Sequence, residues 1–121
     1  TADRLLNIEQ VVGSSFNDTL TGNTGNNSVI GGAGNDTING GAGSDRADYS
    51  TSKAAVNVNL ATGIASDGLG GTDSLIGIEE ITGSSFNDIL TGDTLNNIFI
   101  GGKGNDTING GAGSDRLDFS A

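Results

Sequence analysis

A glycine recurs every nine residues in two runs, Gly13, Gly22, Gly31, Gly40 and then Gly83, Gly92, Gly101, Gly110. Counting each of these as position one, position six reads Asp18, Asn27, Asp36, Asp45 in the first run and Asp88, Asn97, Asp106, Asp115 in the second. Position eight reads Leu20, Val29, Ile38, Ala47 and then Leu90, Phe99, Ile108, Leu117. A unit this short cannot bury its single apolar residue alone, so such units must stack on one another. The period also leaves no place for a helix. Glycines at the first, second and fourth positions permit the tight corners of a turn. A triplet such as Thr37-Ile38-Asn39 puts one apolar side chain in and two polar ones out, as in a short strand. Two units make one coil, and successive coils stack as parallel strands. The expected fold is therefore all-β.

The two runs belong to a longer repeat of 70 residues, in which GSSFND at 13–18 returns at 83–88 and GGAGSDR at 40–46 returns at 110–116. The opening DRLLNIEQV at 3–11 matches DSLIGIEEI at 73–81 in its Asp, Leu, Ile and Glu. Residues 49–70 break the pattern. Val56, Val58 and Leu60 alternate with Asn57 and Asn59 as in a strand with one buried face, Ala61-Thr62-Gly63 reads as a turn, and Asp67 to Gly71 reads as a Gly-rich loop. The expected division is a first stack over 1–53, a connecting strand and cap over 54–70, and a second stack over 71–121. Thr1 and Ala121 both fall in mid-pattern, which points to a piece of a longer chain and leaves targeting segments out of view.

Composition limits what can hold such a stack together. The 121 residues include 22 Gly, only 4% aromatics and no Cys, so neither a large apolar core nor a disulfide is on offer. A metal or the stacking itself must serve. The net charge is −10, with 15 acids against 5 bases and no basic cluster, which excludes nucleic acid as a partner. No apolar run is long enough to span a membrane.

Stacked strands stand about 4.7–4.9 Å apart, so Asp18 and Asp36 fall on one edge of neighbouring coils, as do Asp88 and Asp106. Two bare carboxylates at about 5 Å repel by about 3 kcal/mol at an effective dielectric near 20, and a divalent cation between them reverses the sign. With no His or Cys, the donors are all oxygens. Hard oxygens in number, on a flexible backbone, suit calcium better than zinc or magnesium.

The segment Gly31 to Asn39 follows G-G-x-G-x-D-x-U-x, with U a large apolar residue, and residues 40–48, 101–109 and 110–118 follow it too, apart from Ala47 at U. This pattern resembles the RTX (repeats-in-toxin) nonapeptide, known for binding calcium. The 70-residue unit is similar to RTX modules of secreted bacterial epimerases, proteases and adhesins. The resemblance implies a right-handed parallel β-roll, here two consecutive rolls, in a secreted, extracellular protein exported unfolded by type I secretion. It also implies ligand sets. Ser14, Phe16 and Asp18 would pair with Gly31, Ala33 and Asp36, and Asn23, Gly25 and Asn27 with Gly40, Ala42 and Asp45. In the second copy Ser84, Phe86 and Asp88 would pair with Gly101, Lys103 and Asp106, and Asp93, Leu95 and Asn97 with Gly110, Ala112 and Asp115. Four ions would bring the net charge from −10 to about −2.

Other residues are expected to play lesser parts. Glu9 and Glu79 stand at position six of the unit before the first glycine and are read as surface or capping carboxylates ahead of a fifth metal site, Asp3 and Asp73 as turn-holders, and Asp48 and Asp118 as solvated acids or partners of Arg46 and Arg116. Phe16, Phe86, Phe99 and Phe119 are read as core plugs. The Gly-rich turns lack the Lys-Ser/Thr of a phosphate loop and precede strands. Without an aromatic platform or cleft, paired carboxylates do not suggest glycoside hydrolysis, and no independent catalysis is expected. The alternative role is an accessory module that binds a polysaccharide or a cell-surface ligand. An ice- or surface-binding Thr ladder is disfavoured, because Thr19, Thr37 and Thr107 are only partly in register.

Overall fold

The computed structural model describes residues 6–119. These contain thirteen strands and no helix: β1 Gln10–Val12, β2 Thr19–Thr21, β3 Ser28–Ile30, β4 Thr37–Asn39, β5 Arg46–Asp48, β6 Asn57–Asn59, β7 Ile64–Ser66, β8 Thr72–Ile76, β9 Glu80–Thr82, β10 Ile89–Thr91, β11 Ile98–Ile100, β12 Thr107–Asn109 and β13 Arg116–Asp118. All but β8 are three residues long, because the glycine-rich turn takes six of every nine positions and leaves three to extend.

Consecutive strands alternate between two sheets, except that β6, β7 and β8 share one. One has the order β1-β3-β5-β9-β11-β13 and is parallel throughout. The other has the order β12-β10-β6-β7-β8-β4-β2. Within each run of nonapeptides the parallel pairs bring residues 18 apart into register, as in Leu20 against Ile38 and Leu90 against Ile108. The arrangement is consistent with a β-roll. The six-stranded sheet runs through both copies of the long repeat, with Ala47 of β5 opposite Ile81 of β9.

The segment between the two runs is built into the seven-stranded sheet. β8 pairs in parallel with β4, Leu75 opposite Ile38, and so continues the stack of the first copy. β6 pairs in parallel with β10. β7 lies between β6 and β8 and is antiparallel to both. A hairpin is thus slotted into one sheet only. The alternation of Val56 and Val58 marked β6, whereas Ile64-Ala65-Ser66 carries too little apolar signal to announce β7.

The core is a single file of position-eight side chains between the sheets. Val29, Ile38, Ala47, Leu90 and Phe99 are buried, joined by Val58, Ala65, Leu75 and Ile81 from the seam. Among the four phenylalanines, only Phe99 is a core plug. Phe16 and Phe119 are 77% and 78% exposed and Phe86 is also exposed, so they correct the expectation. Phe16 and Phe86 occupy turn positions, whose side chains point away from the stack. Arg46 pairs with Glu80 on the neighbouring strand, not with Asp48, because parallel register sets them opposite each other. Arg116 does contact Asp118, at 3.4 Å.

Candidate metal centre

The turns lie along two edges of the stack. One edge carries turns 13–18, 31–36, 83–88 and 101–106, and the other carries 22–27, 40–45, 92–97 and 110–115. Successive turns on an edge are tied by their position-six side chains. Asp18 N–H donates to Asp36 Oδ1 at 2.9 Å, Asn27 N–H to Asp45 Oδ1 at 2.8 Å, Asp88 N–H to Asp106 Oδ1 at 3.0 Å and Asn97 N–H to Asp115 Oδ1 at 2.9 Å. All four pairs of turns expected from the sequence are therefore stacked on each other.

Each pair also brings a side-chain oxygen to a backbone carbonyl. A Cβ built on Gly13 would lie 2.9 Å from Asp18 Oδ2 and would collide with the Gly31 carbonyl oxygen. At Gly83 the same point lies 2.5 Å from Asp88 Oδ2 and 2.7 Å from Gly101 O. Gly22 is faced by Asn27 Oδ1 and Gly40 O, and Gly92 by Asn97 Oδ1 and Gly110 O. Any side chain at these positions would fill the cradle. Carbonyls of Ser14, Phe16, Asn23, Gly25, Ser84, Phe86, Asp93 and Leu95 lie against the glycines of the turn that follows. Ala33, Ala42, Lys103 and Ala112 sit at the turn corners, and Ala112 N–H donates to Asp93 O at 3.2 Å.

The two turns of a pair are of different kinds. The second has glycines in the left-handed region, such as Gly32 and Gly34 with φ of 98° and 116°. The first is closed by side chains: Ser14 N–H donates to Asp18 Oδ2 at 2.6 Å, and Phe16 N–H donates to Ser14 Oγ at 3.1 Å. Asn23 and Asn27 serve the second edge in the same way, with Gly25 N–H on Asn23 Oδ1 at 2.8 Å and Asn23 N–H on Asn27 Oδ1 at 3.0 Å. Phe16, Phe86 and Leu95 are accommodated at a glycine position because these turns need no left-handed residue there.

Electrostatically the edges are unfinished. Asp36 is 2% exposed and Asp45 fully buried, and Oδ2 of each accepts no hydrogen bond. Burial pushes both carboxyls above the usual range, opposed for each by the backbone N–H it accepts. Buried polar atoms are nearly always partnered, so two orphaned carboxylate oxygens call for a cation or a proton. Among the described residues no three acidic side chains come together as a carboxylate cage. A cation must then take much of its shell from backbone carbonyls, and the turns supply these as hard oxygens suited to calcium.

Sequence reasoning ranked two contributors too low and missed a third. Asp73 N-terminal to Leu75 is a position-six residue in the ladder, and its Oδ1 accepts Asp36 N–H at 3.1 Å. Its signal was present, with Gly68, Gly71, Asp73 and Leu75 at positions one, four, six and eight, but residues 49–67 shift the phase of the nine. Burial raises the Asp73 carboxyl to about 6, opposed by bonds from Asp36 N–H and the Tyr49 hydroxyl. Glu79 takes the same role on the other edge, accepting Asp45 N–H through Oε2 at 2.9 Å. It is more than the surface carboxylate expected, whereas Glu9 is exposed and Asp3 lies outside the described residues. The third is a ladder of position-five asparagines running the opposite way: Asn35 N–H donates to Asn17 Oδ1, Ser44 N–H to Asn26 Oδ1, Thr72 N–H to Asn35 Oδ1, Asn105 N–H to Asn87 Oδ1 and Ser114 N–H to Asn96 Oδ1. The recurrence of Asn at 17, 26, 35, 87, 96 and 105 was its signal.

Comparison with known proteins agrees with this geometry. No curated protein matches the chain. The family described as RTX calcium-binding nonapeptide repeat (4 copies) matches residues 12–47, 75–94 and 91–121, which together make up more than half of the sequence. It covers the eight turns at Gly13 to Asp45 and Gly83 to Asp115, though not the Asp73 turn, and the chain belongs to the family of RTX calcium-binding nonapeptide repeats.

Proposed function

We propose that this calcium-binding repeat module is a right-handed parallel β-roll that folds when calcium fills the cradles between stacked turns, as part of a secreted protein. The observation that carries this reading is the pairing of each first-turn position-six oxygen with the position-one carbonyl of the next turn, beside buried carboxylate oxygens that accept nothing. Right-handedness follows from the strong preference of strand–crossover–strand units for that hand. About four ions are proposed, one for each pair: Asp18 with Asp36, Asn27 with Asp45, Asp88 with Asp106, and Asn97 with Asp115. The asparagine sites carry one negative charge fewer and bind more weakly.

Extracellular modules bind calcium at about 0.1–1 mM, so the ions are present outside a cell and absent inside. At a Kd of about 0.1 mM and about 1 mM calcium each site stabilises by about 1.4 kcal/mol, and four such sites rival the whole stability of a small domain. The module would therefore stay unfolded before export and fold afterwards. Far-UV circular dichroism of chelator-treated protein tests this. Sheet signal should appear on adding calcium and not on adding an equal concentration of magnesium. A full sheet signal already present in chelator would defeat the proposed switch.

A further inference from the structure

Two of the orphaned carboxylates, Asp36 and Asp67, lie where the first copy meets the hairpin. Asp67 is fully buried although it lies in the Gly-rich loop after β7. Its Oδ1 accepts Leu69 N–H at 2.7 Å and Gly71 N–H at 2.8 Å, while its Oδ2 accepts nothing. A Cβ built on Gly71 would lie 2.7 Å from Asp67 Oδ2 and would collide with Gly34 O. The carboxylate therefore reaches the turn at 31–36, whose Asp36 Oδ2 is the other buried orphan on this edge. No downstream carbonyl faces Gly31 as Gly31 O faces Gly13. Asp67 instead places its charged Oδ2 at Gly71, against Gly34 O of the same turn.

We propose that this seam holds a calcium ion of its own, between Asp36 Oδ2, Asp67 Oδ2 and Gly34 O. Two carboxylates and one carbonyl leave room for water in a shell of six to eight oxygens. Asp67 lies in the stretch 48–74 that the repeat family leaves unmatched, whereas Gly34 and Asp36 belong to the matched stretch 12–47. Its ion would fasten the hairpin loop to the roll, adding to the join already made by the β4–β8 pairing and the Asp36–Asp73 hydrogen bond.

The chain carries its own reporter. Tyr49 is the single tyrosine and there is no tryptophan. Its hydroxyl donates to Asp73 Oδ2 at 3.0 Å, within the same buried group as Asp67 and Asp36. Terbium, which takes calcium's oxygen sites, is made luminescent by an excited tyrosine only at short range.

This inference rests on the proposed binding of calcium by the turns, and the experiment separates the two. Terbium is titrated into the chelator-treated full chain with excitation through tyrosine, and bound calcium is counted by equilibrium dialysis. Wild type should show tyrosine-sensitised emission. Asp67→Asn should lose most of it and bind one calcium fewer, whereas Asp18→Asn should keep the emission. An Asp67→Asn protein with unchanged emission and unchanged stoichiometry overturns the seam site and leaves the other sites standing. Emission lost in Asp18→Asn but kept in Asp67→Asn also overturns it, by assigning the ion to the neighbouring pair of turns. Should Asp67→Asn fail to reach the folded dichroism spectrum, wild type decides: calcium binding without sensitised emission overturns the seam site. No calcium binding at all in wild type overturns both readings.

Discussion

At Gly32 a side chain is excluded twice, by a φ of 98° and by the Ser14 carbonyl oxygen lying where a Cβ would go. Gly70 has a φ of 100° but open space around it. The two positions separate backbone strain from closure of the cradle. Gly70→Ala should cost about 1 kcal/mol, the ordinary penalty of a left-handed alanine. Gly32→Ala should cost more, about 2–4 kcal/mol, and should also raise the calcium concentration needed for folding. Urea titrations in calcium measure the first effect, and the calcium midpoint measures the second. Asp73 gives a pH dependence. Its carboxyl is raised from 3.8 to about 6 in the folded chain, so the fold holds the proton more tightly than the unfolded chain does. The stabilisation is complete below 3.8 and is lost as pH rises through about 6. Metal-free protein should therefore gain stability on acidification from neutrality through this window, by about 1–3 kcal/mol, as read by urea unfolding in chelator at a series of pH values.

At the scale of the strand, equivalent positions of the long repeat are not equivalent in the structure. Ala47 and Leu117 both stand at position eight, yet Ala47 is fully buried between β3 and β9 while Leu117 is 40% exposed on β13. Ala47→Leu should destabilise by about 1–3 kcal/mol through overpacking. Leu117→Ala should cost less, about 1 kcal/mol, because that residue keeps two-fifths of its surface in water. Thermal unfolding in calcium checks the pair, and a reversed order would contradict the placement of Ala47 at the seam. The strands, their turns and the inward residue were legible because one short period dictates all three. The partners across the seam were not. Nothing local in Ile64-Ala65-Ser66 says that it runs antiparallel, and the phase slip before Gly68 hides a turn that otherwise fits the pattern. The carboxylates at 18, 36, 88 and 106 were likewise readable from stacking distance alone. Asp67 was not, because its role depends on a hairpin folding back onto a turn more than thirty residues earlier.

For the molecule as a whole, the pairing of β5 with β9 carries one sheet through both copies, with the side chains of Ala47 and Ile81 buried on either side of the join. Melting in calcium should accordingly be one cooperative transition, with calorimetric and van't Hoff enthalpies equal. Two resolved transitions would show the copies to be separate folding units. The hairpin of β6 and β7 has a different consequence. It adds two strands to the seven-stranded sheet at a level where the other sheet passes directly from β5 to β9. With seven strands facing six, at about 4.8 Å per strand one side of the stack is longer by about 5 Å than the side it faces. Such a wedge forces the long axis to bend, with the hairpin on the convex side. A tandem array of these 70-residue units would then trace an arc instead of a straight rod, its curvature written by the spacing of the hairpins.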